Sequence, residues 1–223
     1  MEKKNFIPLQ SFREYSNQEM VDRAKTFCKE MQMRRSVRTF SDKPVQKEVI
    51  ENCIKSAASA PSGANLQPWH FVVVSNKELK RKIRDAAEKE EREFYSIRAP
   101  KEWLENLEVL GTDADKPFLE TAPFLIVIFE KKFDESADLN KKKLYYTKES
   151  VGIATGILIT ALHNCGLVSL THTPSPMNFL NQILDRPKNE RPFLILVAGY
   201  PAKDTVVPNI EKKKFEEVTT FYE

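Results

Sequence analysis

The chain has 223 residues, of which 41% are hydrophobic, so it can form one sizeable core, and we expect a single domain over residues 1–223. Its 35 basic and 32 acidic residues leave a net charge of +3, which argues against a general nucleic-acid or membrane-surface binder. The polar first residues and the absence of a long apolar run predict a cytoplasmic protein. The cysteines and histidines lack the spacing of a disulfide framework or a metal site, so we expect buried thiols at Cys28, Cys53 and Cys165.

The first predicted element is a helix that leads to a cluster of arginines. Ser16 and Glu19 form a capping box, and apolar residues then recur at helical spacing. We therefore predict that residues 1–32 are a helical lead-in, with the arginine cluster at its C-terminal end. A second helical pattern opens at Pro44 and ends before Pro61.

The middle of the chain alternates between strands and helices. A buried strand is predicted over Trp69–Val74, and a long charged helix follows, capped by Ser75 and reaching about Ile97. Residues 99–120 have weak periodicity, which is typical of a partly helical lid or binding loop. A second apolar strand follows over Phe124–Phe129.

The last third predicts a helix, two strands and an arm. The helix over Thr147–Asn164 is apolar nearly all round and contains Gly152 and Gly156. We interpret these glycines as sites of close packing against a helix of this chain or of a second subunit. The remaining strand candidates are Leu167–Thr173 and Phe193–Ala198. Residues 202–223 are a poor core element with a β-like end, which predicts an arm that wraps another surface.

Two segments offer groups that suit an anion. Arg34-Arg35-Ser36-Val37-Arg38 carries three guanidinium forks and a hydroxyl, and Ala60-Pro61-Ser62-Gly63-Ala64 adds a turn with exposed backbone donors. Taken alone, a basic run at a helix end is more often a solvated cap, so the inference depends on the pairing. Because the chain has neither a GxGxxG nor a GxxxxGK[ST] motif, we predict that side chains hold the phosphate of a phosphorylated cofactor.

Three stretches of the chain closely resemble the flavin-dependent nitroreductase superfamily. They are the segment Arg34 to Phe40, the segment Ala60 to Trp69 and the tripeptide Gly199-Tyr200-Pro201. Within that superfamily the chain is most similar to the iodotyrosine deiodinase family. Glu91, Tyr95 and Lys116 stand where that family contacts its zwitterionic substrate, and Thr171-His172-Thr173-Pro174 resembles its flavin-side Thr-x-Thr-Pro.

The resemblance implies an α+β, nitroreductase-like fold of three layers, in which helices flank a mixed central β-sheet. It also implies a homodimer with domain-swapped arms and FMN at the subunit interface, where Pro61 and Ser62 reach the flavin from the partner subunit. The implied FMN-binding residues are Arg34, Arg35, Ser36, Arg38, Pro61, Ser62, Thr171, Thr173 and Lys212, with Lys213 as the alternative to Lys212.

The same resemblance implies reductive dehalogenation of halogenated tyrosines, from 3-iodotyrosine to tyrosine plus iodide, by stepwise one-electron transfers from reduced flavin. Thr173 is the implied catalytic residue, with its hydroxyl at flavin N5. The implied substrate-binding residues are Ala64, Glu91, Tyr95 and Lys116. We expect NAD(P)H or a separate reductase as the electron donor, and no nucleic-acid, membrane or metal partner.

The chemistry of three residues separates the possible activities. Glu91 and Tyr95 are four residues apart in a predicted helix and share a face, and Lys116 adds the opposite charge. Together they suit the ammonium and carboxylate of a free amino acid, although Glu91 alone would more often be a solvated surface residue. An ordinary nitroaromatic has no zwitterion. The alternatives are therefore a broad-specificity nitroreductase or quinone reductase and a flavin-binding protein without turnover, and His172 has no assigned role.

Overall fold

The computed structural model describes residues 6–134 and 142–223, so Met1 to Asn5 of the expected lead-in lie outside the described residues. The chain divides into two compact units at Arg34, and the single domain over 1–223 stays a prediction. Within the first unit, helix α1 spans Asn17–Met33. The Ser16 hydroxyl accepts the Glu19 N–H at 3.2 Å, which confirms the predicted cap. The expectation of buried thiols is confirmed for Cys53 and wrong for Cys28 and Cys165, which are exposed. Cys28 is exposed because α1 buries none of its residues.

The second unit, Arg35–Glu223, contains the remaining helices and all the strands that the structure describes. Its helices are α2 Lys47–Ala58, α3 Lys77–Glu93, α4 Lys101–Glu108, α5 Phe118–Thr121, α6 Thr147–Asn164, α7 Phe179–Ile183 and α8 Phe215–Val218. Its strands are β1 Trp69–Val74, β2 Phe124–Lys131, β3 Phe133–Asp134, β4 Lys142–Lys143, β5 Val168–His172 and β6 Glu190–Gly199. A 3-10 turn, Gly63–Asn65, follows α2, and a π-helical turn, Phe94–Arg98, continues α3.

The main sheet has the strand order β1-β2-β6-β5, and each neighbouring pair is antiparallel. The expectation of a mixed sheet is therefore corrected for its four strands. Across the described ranges, the parallel pairing is an isolated bridge between Ser36 and Ser169. It stays short because the chain leaves β5 after Val37, and Phe40 then makes an antiparallel bridge to Pro201.

Helices cover both faces of this sheet, which confirms the α+β, three-layer fold class. Alternate residues of a strand face opposite sides, and β2 is buried along nearly its whole length. Ile126 and Ile128 pack in one cluster with residues of α2 and α6, whereas Leu125 and Val127 pack in another with residues of α3, α5 and α7. The two apolar clusters thus place the sheet between two helical layers.

Local sequence signals predict several ends of helices and strands correctly, and two predictions need correction. Helix α6 has the predicted bounds, and Gly166 follows it with φ +81°, a left-handed conformation that glycine adopts without strain. The cap of α3 is Asn76 rather than Ser75, because the Asn76 side chain accepts the Leu79 N–H at 2.9 Å. The predicted β-like end, Val218 to Tyr222, forms no strand, and the short helix α8 that ends at Val218 buries no side chain.

Candidate functional site

A cavity of about 610 Å³ lies in the second unit, between the end of α3, the segment that carries α4, and the end of β5. Residues that are far apart in the sequence line it. Six of the predicted site residues are among them, namely Arg38, Glu91, Tyr95, Lys116, Thr171 and Thr173. The structure therefore brings the zwitterion-binding set, one arginine of the cluster and the Thr-x-Thr-Pro segment to one cavity.

Arg38 reaches the cavity because its segment runs beside β5. The Val37 N–H donates to the Ser169 carbonyl at 3.2 Å, and the Val37 side chain is buried, while Arg38 lines the cavity. Partial burial lowers the pKa of the Arg38 guanidinium, against the opposing influence of Tyr95. No carboxylate within the described ranges pairs with Arg38, so its positive charge is available to an anion.

Lys116 is the centre of the polar wall. It is 2% exposed, and its Nζ lies 3.4 Å from Oε2 of Glu91 and 5.5 Å from the ring centroid of Tyr95. The same ammonium donates to the Thr112 hydroxyl at 3.1 Å and to the Asp113 carbonyl. Lys116 is thus held by a carboxylate, an aromatic face and two oxygens at the wall of the cavity.

Glu91 and Tyr95 lie on the same wall, as their spacing predicts. Glu91 belongs to α3, and Tyr95 to the π-helical turn, where the wider backbone spiral is a common feature of functional sites. Burial raises the pKa of Glu91, and Lys116 opposes this rise. Burial also raises the pKa of Tyr95, whose hydroxyl donates to the Thr112 carbonyl at 3.2 Å. A carboxylate, a phenol and an ammonium therefore line the same part of the cavity.

His172 is the residue at this site whose role sequence reasoning left open. It is buried between the exposed Thr171 and Thr173, and its ring meets that of Phe118 edge-on at a centroid distance of 5.5 Å. Burial, with a smaller contribution from Lys116, lowers the pKa of His172 to about 3, so the imidazole is neutral at physiological pH. Its buried Nε2 has no hydrogen-bond partner within the described chain, which leaves it available to a ligand.

The turn after α2 lies outside this cavity. The Ser62 hydroxyl accepts the Gln67 N–H at 3.0 Å, and the Gly63 N–H donates to the Ser150 hydroxyl at 3.4 Å. Ala64 is exposed and has φ +50°, a left-handed conformation that is strained for alanine. The expected contacts of Pro61, Ser62 and Ala64 with a bound flavin and substrate therefore stay predictions that require a second subunit.

The other cations of the predicted phosphate site are not part of the cavity lining. The Arg35 guanidinium donates to the Pro208 carbonyl, which ties the arginine segment to the C-terminal arm. Lys212 and Lys213 are exposed in that arm. Arg34 ends the first unit, where its N–H donates to the Met31 carbonyl at 3.3 Å. Their roles, and the hydroxyl contact of Ser36, stay predictions.

Sequence reasoning missed several residues of the cavity wall. Arg191 and Met177 contribute a further cation and a flexible apolar side chain, and neither carried a motif that could have marked it. Trp103, in the segment predicted as a lid or binding loop, also lines the cavity. Its ring packs edge-on against Phe94 at a centroid distance of 5.1 Å, and the aromatic residue on amphipathic α4 was the available signal.

Two negative findings apply to the part of the chain that is described. There, no three side chains of His, Cys, Asp or Glu come together as a metal site would require. None of the described helices combines the length and the apolarity needed to cross a bilayer.

Comparison with known proteins gives consistent matches. Residues 31–200 match the nitroreductase family. A protein of Haliscomenobacter hydrossis named iodotyrosine deiodinase is 51% identical over 221 residues, which are 99% of each chain. The human iodotyrosine deiodinase 1 is 42% identical over 93% of this chain and 72% of its own length. A crystal structure of oxidized iodotyrosine deiodinase bound to FMN and 3-iodo-L-tyrosine superposes with a TM-score of 0.74 and 31% identity, covering 87% of this chain and 100% of that chain.

Proposed function

The chain belongs to the nitroreductase family, and on that premise we propose that it is an FMN-dependent oxidoreductase that dehalogenates halogenated tyrosines, converting 3-iodotyrosine to tyrosine and iodide. The observation that carries the choice of substrate is the convergence of Glu91, Tyr95 and Lys116 on one wall of the cavity. A partly buried carboxylate and a buried ammonium on the same wall suit a zwitterion, which a simple nitroaromatic lacks.

The donor set at the cavity fits FMN. Arg38 brings a half-buried positive charge that no described carboxylate neutralises, and His172 has an unpartnered buried nitrogen. Arg34, Arg35, Ser36 and Lys212 would add cations and a hydroxyl for the phosphate and ribityl groups. When bound, FMN supplies electrons that can be delivered one at a time. Thr171 and Thr173 are exposed residues that line the cavity, and Thr173 is the residue that would donate a hydrogen bond to flavin N5.

Different residues of this chain bind different groups of the substrate. Glu91 pairs with the substrate ammonium, Lys116 with its carboxylate, and Tyr95 adds a phenolic hydroxyl and an aromatic face. The Ala64 N–H is the proposed donor to the phenolate oxygen, and a hydrogen bond there favours the charged phenolate over the phenol. The phenolate is the form whose ring carbon accepts a proton most readily. By favouring the phenolate, the Ala64 N–H promotes protonation of the carbon that then loses the halide.

The proposal requires two copies of the chain at each site. Pro61, Ser62 and Ala64 lie outside the cavity, so they serve it only if a second subunit presents them. Helix α6 supports a homodimer, because a Cβ atom added at Gly152 or Gly156 would meet no atom within 4 Å. Neither glycine is needed for packing within the described chain. Close approach of a second subunit explains both.

An anaerobic experiment tests the activity. The FMN-loaded protein is reduced and mixed with 3-iodotyrosine, and flavin absorbance and released iodide are recorded together. We expect reoxidation of the flavin with stoichiometric iodide, whereas unhalogenated tyrosine leaves the flavin reduced. Slow reoxidation by iodotyrosine beside rapid turnover of nitroaromatics or quinones would replace the proposal with a general nitroreductase. Bound FMN that no substrate reoxidises would indicate a flavin-binding protein.

The source of electrons is a separate part of the proposal. We propose that NAD(P)H or a separate reductase reduces the flavin and that the protein works in the cytoplasm, where that cofactor is abundant. Steady-state turnover of iodotyrosine with NADPH, with NADH, and with a chemical reductant measures the first point. Turnover with the chemical reductant alone would assign the reduction to a separate protein.

A further inference from the structure

Two cysteines from distant parts of the sequence meet in the second unit, away from the cavity. Cys53 lies in the middle of α2, and Cys165 directly follows the last residue of α6, 112 positions further along the sequence. Their sulfur atoms are 3.7 Å apart. Cys53 is buried in the cluster between α2, α6 and the sheet, whereas Cys165 is exposed. A buried thiol thus faces one that solvent can reach.

We propose that Cys53 and Cys165 are a modification site, at which hydrogen peroxide forms a reversible disulfide that fastens α2 to α6. The Cys165 thiol loses its proton, and its sulfur attacks peroxide, so that the O–O bond breaks and leaves a sulfenic acid and one water. The Cys53 sulfur then attacks the Cys165 sulfur. An S–S bond forms, the S–O bond breaks, and the hydroxyl leaves with the Cys53 proton as a second water. Two thiols are oxidised, and one peroxide is reduced to two waters.

The positions of the two sulfurs decide the order of these steps. Burial is the main cause that raises the pKa of Cys53 to about 12, and its contact with Cys165 adds to the rise. In the reduced pair Cys53 therefore stays protonated at neutral pH and shielded from solvent, and a dissolved oxidant reaches Cys165 first. Cys53 then acts as the resolving partner, because its sulfur already lies against the oxidised one.

Closure of the bond needs little movement. The sulfurs must approach from 3.7 Å to about 2.05 Å, the length of a disulfide bond. Cys165 can supply this movement by a rotation of its side chain, because it is the exposed C-cap residue of α6, and only the weak hydrogen bond from its thiol to the Leu162 carbonyl, at 3.3 Å, must break. The new bond would close a loop over more than half of the described chain, which restricts the unfolded state strongly.

The test uses the full chain with FMN bound and with Cys28→Ser as the background, so that only the pair retains thiols. After treatment with peroxide and alkylation, mass spectrometry should find a cross-linked Cys53–Cys165 peptide with two hydrogen atoms fewer. A dithiol reductant should reverse the change. We expect the unfolding midpoint to rise by roughly 5 °C or more on oxidation, since a long loop is closed in the unfolded state.

The matched variant is Cys165→Ser in the same background, and it should fold normally because the substituted residue is exposed. Peroxide should then produce neither the cross-linked peptide nor the rise in unfolding midpoint. Cys53→Ser, if it folds, should leave Cys165 as a sulfenic or sulfinic acid. The proposal is overturned if the unsubstituted pair gives that sulfinic acid while Cys53 stays open to alkylation, or if the cross-links join two chains. Both results are independent of dehalogenase activity.

Discussion

The ion pair between the partly buried Glu91 and the buried Lys116 makes the sharpest prediction about a single residue. Glu91→Gln keeps the shape of the side chain and removes its charge, and Lys116 retains its contacts with Thr112 and Asp113. A charge-assisted hydrogen bond contributes about 1.5–3 kcal/mol, so the KM for iodotyrosine should rise roughly 10- to 100-fold. Bound FMN, measured by its absorbance, should stay at the level of the unsubstituted protein. Glu93→Gln, on the exposed side of the same helix, is the matched control and should change neither quantity.

His172 gives a prediction about stability and pH. The folded protein holds its pKa at about 3, while the unfolded chain has the ordinary value of about 6.5. The unfolded state therefore binds the proton first, and stability is lost as the pH falls below about 6.5. By pH 5 the loss from this residue should be about 2 kcal/mol.

Denaturant unfolding near pH 7.5 and near pH 5 measures that loss, with His172→Leu as the comparison. Burial also lowers the pKa of His70, but that residue is common to both proteins, so its contribution cancels in the difference. The free energy of unfolding should fall less for His172→Leu between the two pH values. An equal fall in both proteins would mean that the His172 imidazole is not buried in the neutral form.

At the scale of single elements, helix α6 gives a prediction about the dimer interface. Its Gly152 meets open space in the single chain, so Gly152→Leu should be tolerated by the fold and should favour the helix by up to about 0.8 kcal/mol. A dimer that packs closely there cannot accommodate the added side chain. We therefore expect this variant to have the mass of a monomer in light scattering and to lose FMN. Lys89→Leu adds the same side chain to an exposed site on α3 and should remain dimeric. A Gly152→Leu dimer with full FMN content would exclude α6 from the interface.

The elements also show which features a sequence can predict. β1 and α6 have their predicted bounds, because apolar patterning and the glycine after α6 are local signals. Strand pairing is not local, and the mixed sheet expected from the resemblance is antiparallel in its four strands. The short helix α8 was also missed, because four residues are too few to show a helical period.

At the scale of the whole molecule, the site forms because residues from distant segments come together at one cavity, which no single segment of the sequence reveals. Arg38, Glu91 and Lys116 approach one cavity because the arginine segment lies beside β5 and the end of α3 lies opposite it. Residue patterning predicted the shared face of Glu91 and Tyr95, but their meeting with Lys116 rested on resemblance. The role of Thr173 stays a prediction for the same reason. Arg191 and the orphan nitrogen of His172 became visible only in three dimensions.

The C-terminal arm carries the last prediction, which concerns the assembled molecule. The arm is held near its start, where the Ala202 N–H donates to the Thr39 carbonyl at 3.1 Å and Pro208 accepts from Arg35. Beyond that point it presents large apolar side chains to solvent, with Phe221 72% and Tyr222 97% exposed. Exposure of several large apolar side chains to water is unfavourable and is typical of an interaction surface, so we expect a second subunit to cover them.

Removal of residues 209–223 should therefore leave the fold of the chain intact, because this stretch buries no residue of its own. The unfolding midpoint of the FMN-free protein, measured by circular dichroism, should stay close to that of the full chain. The truncated protein should become monomeric in light scattering and should bind FMN weakly, since the partner's contacts and Lys212 are both lost. Lys212→Ala in the full chain separates these causes, because it should weaken FMN binding while the dimer persists. A truncated chain that remains dimeric would show that the arm does not contribute to assembly.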